Sequence, residues 1–325
     1  MDLEFPPEYE TFRAQVRAFL SEHGADAPRA GIGGGAAGSR DRTLAWQKKL
    51  IENGYAARTI PKEYGGFGAQ PDLLRSIIID EEFARAGVSR GIGGQGASML
   101  VPTLLEHGTE AQKRAYVGPT IRGEVLWCQG YSEPGSGSDL ASLQTRAVED
   151  GDDYVINGQK IWTSTAREAQ MMFALVRTEP DARKHEGISY LVFPMSTPGI
   201  EIRPLHTLTG HAEFNEVFFS DVRVPKSSLV GRRGEGWKIA NTTLFHERNM
   251  LASSALLDGA RWLSPVPPGW PLALALNRVR SWRTRLRMVR WVMRPSVAYR
   301  RYRGARTSRV LSALNAYARR FIPSA

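Results

Sequence analysis

The chain has 325 residues, 42% of them hydrophobic, one cysteine and a formal net charge of +10. This length allows two or three lobes, and the composition is ordinary for a globular protein. The single cysteine excludes an internal disulfide framework and favours a reducing compartment. We find no secretory signal and no run of roughly 18 apolar residues, so we expect a cytoplasmic protein without a membrane span.

The positive charge is concentrated in the last part of the chain. Residues 251–325 carry 15 arginines, no lysine and a single acidic residue, Asp258, whereas the first 250 residues have a small excess of acids. The net charge therefore describes the tail alone and does not indicate a nucleic-acid partner for the whole chain.

The first 120 residues are predicted to be mostly helical. A Gly/Ala-rich loop over Pro28–Ser39 and a turn cluster over Pro61–Gly68 interrupt the helical patterns. The apolar spacing predicts helices over Pro7–His23, Thr43–Asn53, Asp72–Ala86, Ser98–His107 and Glu110–Ile121.

From Gly123 the pattern changes to short runs of strand length. These runs are Val125–Cys128, Tyr154–Gly158, Met171–Arg177, Ile188–Pro194 and Glu213–Phe219. They predict an antiparallel β module, in which Asn157-Gly158 forms a tight turn. Helix returns from Gly236, with Trp237, Ala240, Leu244 and Phe245 predicted on one face.

The order of helix, strand and helix predicts an α+β multidomain fold rather than alternating βαβ units. We predict an N-terminal helical domain (1–122), a central antiparallel β domain (123–232), the first helix of a truncated or divergent C-terminal helical domain (233–256), and an Arg-rich tail (257–325). Gly91-Ile92-Gly93-Gly94 follows a helical pattern and is no dinucleotide fingerprint. His206 and His211 lack ligand spacing, so we predict no metal site.

Two polar segments of the β module have the composition of a ligand-binding wall. Tyr131-Ser132-Glu133-Pro134-Gly135-Ser136-Gly137-Ser138-Asp139 follows a strand, and its small residues let backbone N–H groups approach a ligand. Asn157-Gly158-Gln159-Lys160-Ile161-Trp162-Thr163-Ser164 joins an indole to two hydroxyls. In isolation, the first segment is more typical of an ordinary polar loop between strands.

The order and spacing of these segments resemble the acyl-CoA dehydrogenase family. The Ser132–Asp139 loop, the Asn157–Trp162 strand, Phe214-Asn215-Glu216-Val217 and Val222-Arg223-Val224-Pro225 occur in the family's order. The resemblance covers roughly residues 5–250. It implies a FAD-dependent enzyme that desaturates an acyl-CoA, passes electrons to an electron-transfer flavoprotein, and assembles as a homo- or hetero-oligomer.

The resemblance also implies roles for individual residues. Ser138 would contact both the flavin and the thioester substrate. Trp162 would shield one side of the flavin ring, although a half-buried tryptophan packed in the core is the alternative. The residues implied to bind the cofactor are Gln129, Gly130, Tyr131, Ser132, Gly137, Ser138, Trp162, Thr163 and Ser164.

The expected base is a carboxylate that removes the α-proton of the thioester. The helix after the β module resembles a family subgroup in which Glu precedes Arg at this place. Glu247 is therefore the candidate base, and Arg248 is a candidate for a contact with CoA or for a structural contact. An ordinary Glu-Arg pair on a solvated helix face is the alternative. The family's Asp two residues before the Glu is Phe245 here, which departs from its CoA-binding pattern. Cys128 is expected to be a packed strand residue rather than a nucleophile.

Residues after Leu256 do not resemble the family. The segment Arg261–Ala325 has no acidic residue and four tryptophans, Trp262, Trp270, Trp282 and Trp291. A reading-frame shift or gene decay is the favoured interpretation. A divergent helical C-terminus in a heteromeric enzyme is the second, and a nucleic-acid or anionic-membrane contact the least favoured. The alternative to an active enzyme is therefore an impaired or accessory relative.

Overall fold

The computed structural model describes residues 6–30, 36–37, 39–208, 210 and 212–248. All of them belong to one compact unit, Phe5–Leu257. The predictions for the tail, 257–325, lie outside the described residues, as does most of the predicted loop over Pro28–Ser39.

Helices dominate the first 121 residues, as predicted. Their bounds are α1 (Pro7–His23), α2 (Arg40–Glu52), α3 (Leu73–Ala86), α4 (Val101–His107) and α5 (Glu110–Ile121). A π-helical turn, Gly96–Leu100, leads directly into α4. The ends of α1 and α5 match the prediction. Asp72 caps α3 by accepting the Arg75 N–H, and Thr109 and Gln112 form a reciprocal capping box on α5, so local side chains fix where these helices begin.

The helices α1, α2 and α3 share a core of aromatic and aliphatic side chains. Phe19 lies at its centre and contacts the rings of Trp46, Tyr55 and Phe83. The buried carboxylate of Glu82 accepts hydrogen bonds from Arg13, Arg17 and Arg85.

The described residues also form ten strands. A small hairpin pairs β1 (Arg29–Ala30) with β2 (Ala36–Ala37). The large sheet contains β3 (Trp127–Gly130), β4 (Arg146–Asp150), β5 (Asp153–Ser164), β6 (Met171–Arg177), β7 (Ile188–Pro194), β8 (Ile200–Leu205), β9 (Phe214–Pro225) and β10 (Leu229–Val230). Its order is β10-β7-β6-β4-β5-β9-β8, and β3 pairs with β6 beside this path.

The pairing differs from the predicted β module in two respects. The strands are antiparallel except that β3 and the first residue of β4 pair with β6 in parallel. The predicted tight turn at Asn157-Gly158 is wrong, because β5 continues through it as one strand of 12 residues. Gly158 instead lies at a register shift, at φ +148°, and a Cβ there would come within 2.7 Å of the Thr145 Cα.

The two faces of the sheet bury separate cores. One face packs against the helices and contributes Phe173, Leu175 and Tyr190 to a core shared with α4 and α5. The opposite face buries Met172, Ala174 and Phe193. The Gln112 side chain of α5 donates to the backbone oxygens of Ser227 and Leu229, and these bonds tie the helices to the end of the sheet.

Residues 236–248 form a sixth helix, α6, which packs on the first of these cores. The Thr243 hydroxyl lies 2.9 Å from the Thr103 hydroxyl of α4, and both side chains are fully buried. The predicted apolar face is confirmed for Trp237, Ala240 and Leu244. It is wrong for Phe245, which is 55% exposed because it faces away from this core. Among the described helices, none is long and apolar enough to cross a membrane.

Candidate functional site

The loop that follows β3 folds back on itself. Glu133 and Ser136 exchange two backbone hydrogen bonds of 3.0 Å. Gly130, just before the loop, packs so closely on β6 that a Cβ would lie 2.7 Å from the Met172 sulfur. Gly135 and Gly137 have the opposite environment, since a Cβ at either position would meet no atom within 4 Å. The loop is therefore anchored at its base and presents an open backbone at its tip.

A buried ion pair anchors this loop to β5. Lys160 is fully buried, and its Nζ donates to Glu133 Oε1 at 2.8 Å and to the Tyr131 carbonyl oxygen at 3.1 Å. Glu133 also accepts the backbone N–H groups of Gln144 and Thr145. Burial lowers the pKa of Lys160 to about 8, although the Glu133 charge opposes this shift.

Sequence reasoning assigned no role to this pair. The signal was present in the alternation of β5, because Tyr154, Ile156 and Lys160 all fall on its inward face. A lysine at an inward strand position requires a buried partner.

A β-bulge in β5 sets the orientation of Trp162. The register with β9 shifts between Lys160 and Thr163, and Trp162 has φ +61°, an unusual value for an aromatic residue. The indole is 59% exposed and packs edge-on against Phe214 at 5.9 Å. The interpretation of Trp162 as a packed core tryptophan is therefore wrong.

Thr163, next to the indole, points inward. Its Oγ1 is buried and has no hydrogen-bond partner. The same is true of Oδ1 of Asn215. The Nδ2 of Asn215 donates to the Thr163 carbonyl oxygen at 3.0 Å. Leaving such a group unpaired costs about 1–3 kcal/mol. An exposed indole beside two buried orphan oxygens fits a planar, hydrogen-bonding ring.

The other predicted cofactor residues lie on the same two elements. Gln129 and Gly130 are the last two residues of β3. Ser132 is half-buried, and its backbone carbonyl oxygen accepts the Ile161 N–H at 2.9 Å. Ser164 is half-buried at the end of β5. Ser138 is exposed on the open loop. The hydrogen bond between Ser132 and Ile161 joins the two predicted binding segments into one wall.

Four hydroxyl-bearing side chains lie buried behind this wall. Thr243 lies beside Thr103 and donates to the Tyr190 hydroxyl at 3.4 Å. The Tyr131 hydroxyl is adjacent to this group but makes no hydrogen bond of normal geometry. Burial raises the pKa of Tyr131 well above its ordinary value, and the charge of Glu247 adds to the effect.

Glu247 follows Thr243 by one helical turn, so the two residues share a face of α6. Glu247 is half-buried, whereas Arg248 is exposed. The carboxylate of Glu247 thus lies on the side of α6 that faces the buried hydroxyls, and the guanidinium of Arg248 is accessible to an anion.

Two further observations concern the cysteine and the metal-ligating side chains of the described residues. Cys128 is buried, as predicted, and burial raises the pKa of its thiol to about 12, so it is no nucleophile. No group of three or more His, Cys, Asp or Glu side chains could hold a metal ion among residues 6–248 that the structure describes.

Comparison with known proteins identifies the family. The model of the acyl-CoA dehydrogenase N-terminal domain matches residues 6–124, and that of the middle domain matches residues 128–222. The acyl-CoA dehydrogenase IpdE1 of Mycobacterium tuberculosis is 43% identical over 262 residues, which are 79% of this chain and 67% of the relative. The chain belongs to the acyl-CoA dehydrogenase family.

Solved acyl-CoA dehydrogenase structures share this fold. A structure named Tcur3481-Tcur3483 steroid ACAD is 34% identical and has a TM-score of 0.67. The match covers 89% of this chain and 73% of that chain. The ChsE4-ChsE5 complex of Mycobacterium tuberculosis is 30% identical, with a TM-score of 0.60 and coverage of 89% and 73%. Acyl-CoA dehydrogenase relatives of this chain therefore include an assembly of two different subunits.

Proposed function

We propose that this chain is a FAD-dependent acyl-CoA dehydrogenase subunit that forms a double bond between the α- and β-carbons of an acyl-CoA thioester. One observation carries the proposal. The bulge in β5 exposes the Trp162 indole and leaves the Thr163 hydroxyl buried without a partner, on the strand that Lys160 and Ile161 tie to the open loop after β3.

These residues fit a flavin. Trp162 provides a flat face for the ring, while Thr163, Ser164 and Ser132 supply hydroxyls along the wall. Gln129, Gly130 and Tyr131 lie at the end of β3, and Gly137 lets the loop backbone approach the cofactor closely. Bound FAD supplies the acceptor for the hydride that leaves the β-carbon.

The chain's own residues handle the proton and the thioester. Glu247 removes the α-proton through its carboxylate, which lies on the α6 face directed at the buried hydroxyls. Ser138, exposed on the loop, binds the thioester end of the substrate, and Arg248 contacts the CoA moiety through its exposed guanidinium. Tyr131 is buried in the packed core behind the wall, and this core would keep water from reaching the substrate from that side.

The substrate class and the partners follow from the relatives. Since one structural neighbour is named a steroid ACAD, we propose a steroid-derived acyl group. Since another is a complex of two different chains, we propose that this subunit works in a hetero-oligomer. An electron-transfer flavoprotein is the proposed electron acceptor.

A second candidate function is an accessory subunit that contributes structure but no turnover, since a neighbour is a complex of two different chains. The two are separated by the colour of the purified protein. A flavin-binding enzyme is yellow, or becomes yellow with added FAD, and loses its visible absorbance when an acyl-CoA is added without oxygen. A chain that stays colourless alone and with its partner subunit is accessory.

A further inference from the structure

A cavity lies among the N-terminal helices, and none of its lining residues belongs to the flavin wall. Its volume is about 300 Å3, at the lower end of small-molecule sites. Four isoleucines, Ile60, Ile79, Ile92 and Ile121, supply much of its apolar lining. None of the residues that line it belongs to the proposed flavin or thioester site.

The guanidinium of Arg58 is the unusual polar group of this cavity. Its central carbon lies over the rings of Phe12 and Phe67, 5.5 and 5.9 Å from their centroids. Nη1 donates to the Gly54 carbonyl oxygen at 3.1 Å, whereas Nε is buried with no hydrogen-bond partner. The two rings hold the Arg58 guanidinium in place. Its Nε–H remains a buried donor without an acceptor.

The neighbouring arginines have carboxylate partners, although the Nε of Arg75, like that of Arg58, is buried without a hydrogen-bond partner. Arg90 pairs with Asp80 at 2.7 Å, and Arg75 lies 3.4 Å from Asp72. Gln47 accepts the Ile92 N–H and donates to the Ile121 carbonyl oxygen, both at 2.7 Å.

Arg58, in contrast, forms no ion pair within the part of the chain that the structure describes. Burial lowers the pKa of Arg58, and the charge of Arg75 lowers it further. The cavity therefore combines an apolar body with one desolvated positive charge.

The wall segment that carries Arg58 is held in an unfavourable conformation. Ala57 has φ +44°, in the left-handed region that alanine rarely adopts. Backbone bonds from Ile60 and Phe67 to the Ala57 carbonyl oxygen hold this conformation. Strain of this kind is concentrated at ligand sites.

We propose that this cavity binds a small carboxylic acid with a compact apolar body, whose carboxylate pairs with Arg58. The carboxylate accepts the Nε–H that is otherwise unpaired, and the isoleucine wall contacts the hydrocarbon. This is a second ligand site in the helical part of the chain, and it is independent of the proposed dehydrogenation.

The test is calorimetric titration of the full chain with octanoate. We expect saturable binding, which Arg58→Gln weakens at least ten-fold. Ala97→Leu, which fills the cavity and leaves the guanidinium in place, weakens binding to a similar extent. Arg114→Gln, an exposed arginine on α5, is the matched control and leaves binding unchanged. The thermal midpoint of each variant shows whether it folds. If Arg58→Gln does not fold, the binding measured with Ala97→Leu decides the test.

Two further probes separate charge from apolar contact. Octylamine has a similar alkyl chain with a positive charge. Inorganic phosphate has a negative charge and no alkyl chain. Neither is expected to bind. Octanoate binding that survives Arg58→Gln or Ala97→Leu in the folded protein overturns the proposal. So does an absence of saturable binding, or phosphate binding as tight as that of octanoate. None of these results depends on FAD or on acyl-CoA.

Discussion

The Nζ of Lys160 lies 2.8 Å from Oε1 of Glu133, and both side chains are buried. This pair joins the loop after β3 to the middle of β5, the two elements that we propose to hold the flavin. The bulge that exposes Trp162 begins immediately after Lys160. The ion pair therefore fixes the two binding segments relative to each other.

Breaking this pair is expected to destabilise the fold strongly. Lys160→Met leaves the Glu133 carboxylate buried without its cation, which costs about 3–5 kcal/mol of the free energy of unfolding. Urea denaturation measures this loss. The control is Lys48→Ala, which removes the exposed pair with Glu52 and changes the free energy by no more than about 0.5 kcal/mol. Equal effects of the two substitutions would contradict the role given to Lys160.

Glu82 gives the helical core a specific acid sensitivity. Burial alone raises the pKa of Glu82, but hydrogen bonds from Arg17 and Arg13 and the charge of Arg85 outweigh it, so the pKa falls from 4.5 to about 2. A carboxyl whose pKa is lower in the folded state stabilises it fully above the unfolded pKa and loses that contribution as the pH falls.

We therefore expect Glu82→Gln to cost about 3 kcal/mol at neutral pH. The difference in the free energy of unfolding between the variant and the native chain should become smaller as the pH falls from 4.5 towards 2. Denaturation curves across this range measure the gap. A gap that stays constant with pH would show that the carboxylate charge is not responsible.

Trp162 is expected to matter for the cofactor and little for folding. Its indole is 59% exposed, so Trp162→Ala removes little buried area from the core. Loss of the ring contact with the flavin should weaken FAD binding roughly ten-fold. Flavin fluorescence during titration with FAD measures the affinity. Leu73→Ala, an exposed apolar residue on α3, is the control and should bind FAD like the native chain.

Replacing Tyr131 is expected to affect flavin reduction without lowering the stability of the fold. Its buried hydroxyl has no hydrogen bond of normal geometry, so Tyr131→Phe should be neutral or stabilise the fold by up to about 1 kcal/mol. Because this hydroxyl lies near Glu247, the same change should alter the pH dependence of flavin reduction. Tyr190→Phe is the matched control and should lower stability more, since it removes a hydroxyl that belongs to the buried network around Thr243. Thr243 keeps its contacts with the Thr103 hydroxyl and the Ile239 carbonyl oxygen, so the loss should be modest. Tyr131→Phe that lowers stability by as much as Tyr190→Phe would be the contrary result.

The fold was predictable where local chemistry decides it. The apolar period predicted the ends of α1 and α5, and apolar runs of strand length predicted β6 and β7. The strand β4 was missed because only Ala147 of its five residues is buried. The turn assigned to Asn157-Gly158 failed because contacts across the sheet with Thr145, and not local propensity, select the glycine.

The candidate site was predictable in its residue types and not in its geometry. The motifs predicted that Ser132 and Trp162 act together, and the Ser132–Ile161 hydrogen bond explains how their segments meet. The positive φ of Trp162 and the orphan Thr163 hydroxyl depend on the register between β5 and β9, which the sequence of either strand alone does not determine. The Arg58 cavity depends on packing among three helices and has no sequence motif.

The assignment of Glu247 as the base is tested most directly by anaerobic flavin reduction. The FAD-loaded chain, alone or with its partner subunit, is mixed with a steroid-derived acyl-CoA, and the visible flavin absorbance is followed with time. We predict that the absorbance bleaches in the native chain and that Glu247→Gln slows bleaching by about 100- to 10,000-fold without loss of bound FAD. Glu201→Gln, on the exposed edge strand β8, should bleach normally. Bleaching of the Glu247→Gln protein at the native rate would contradict the account.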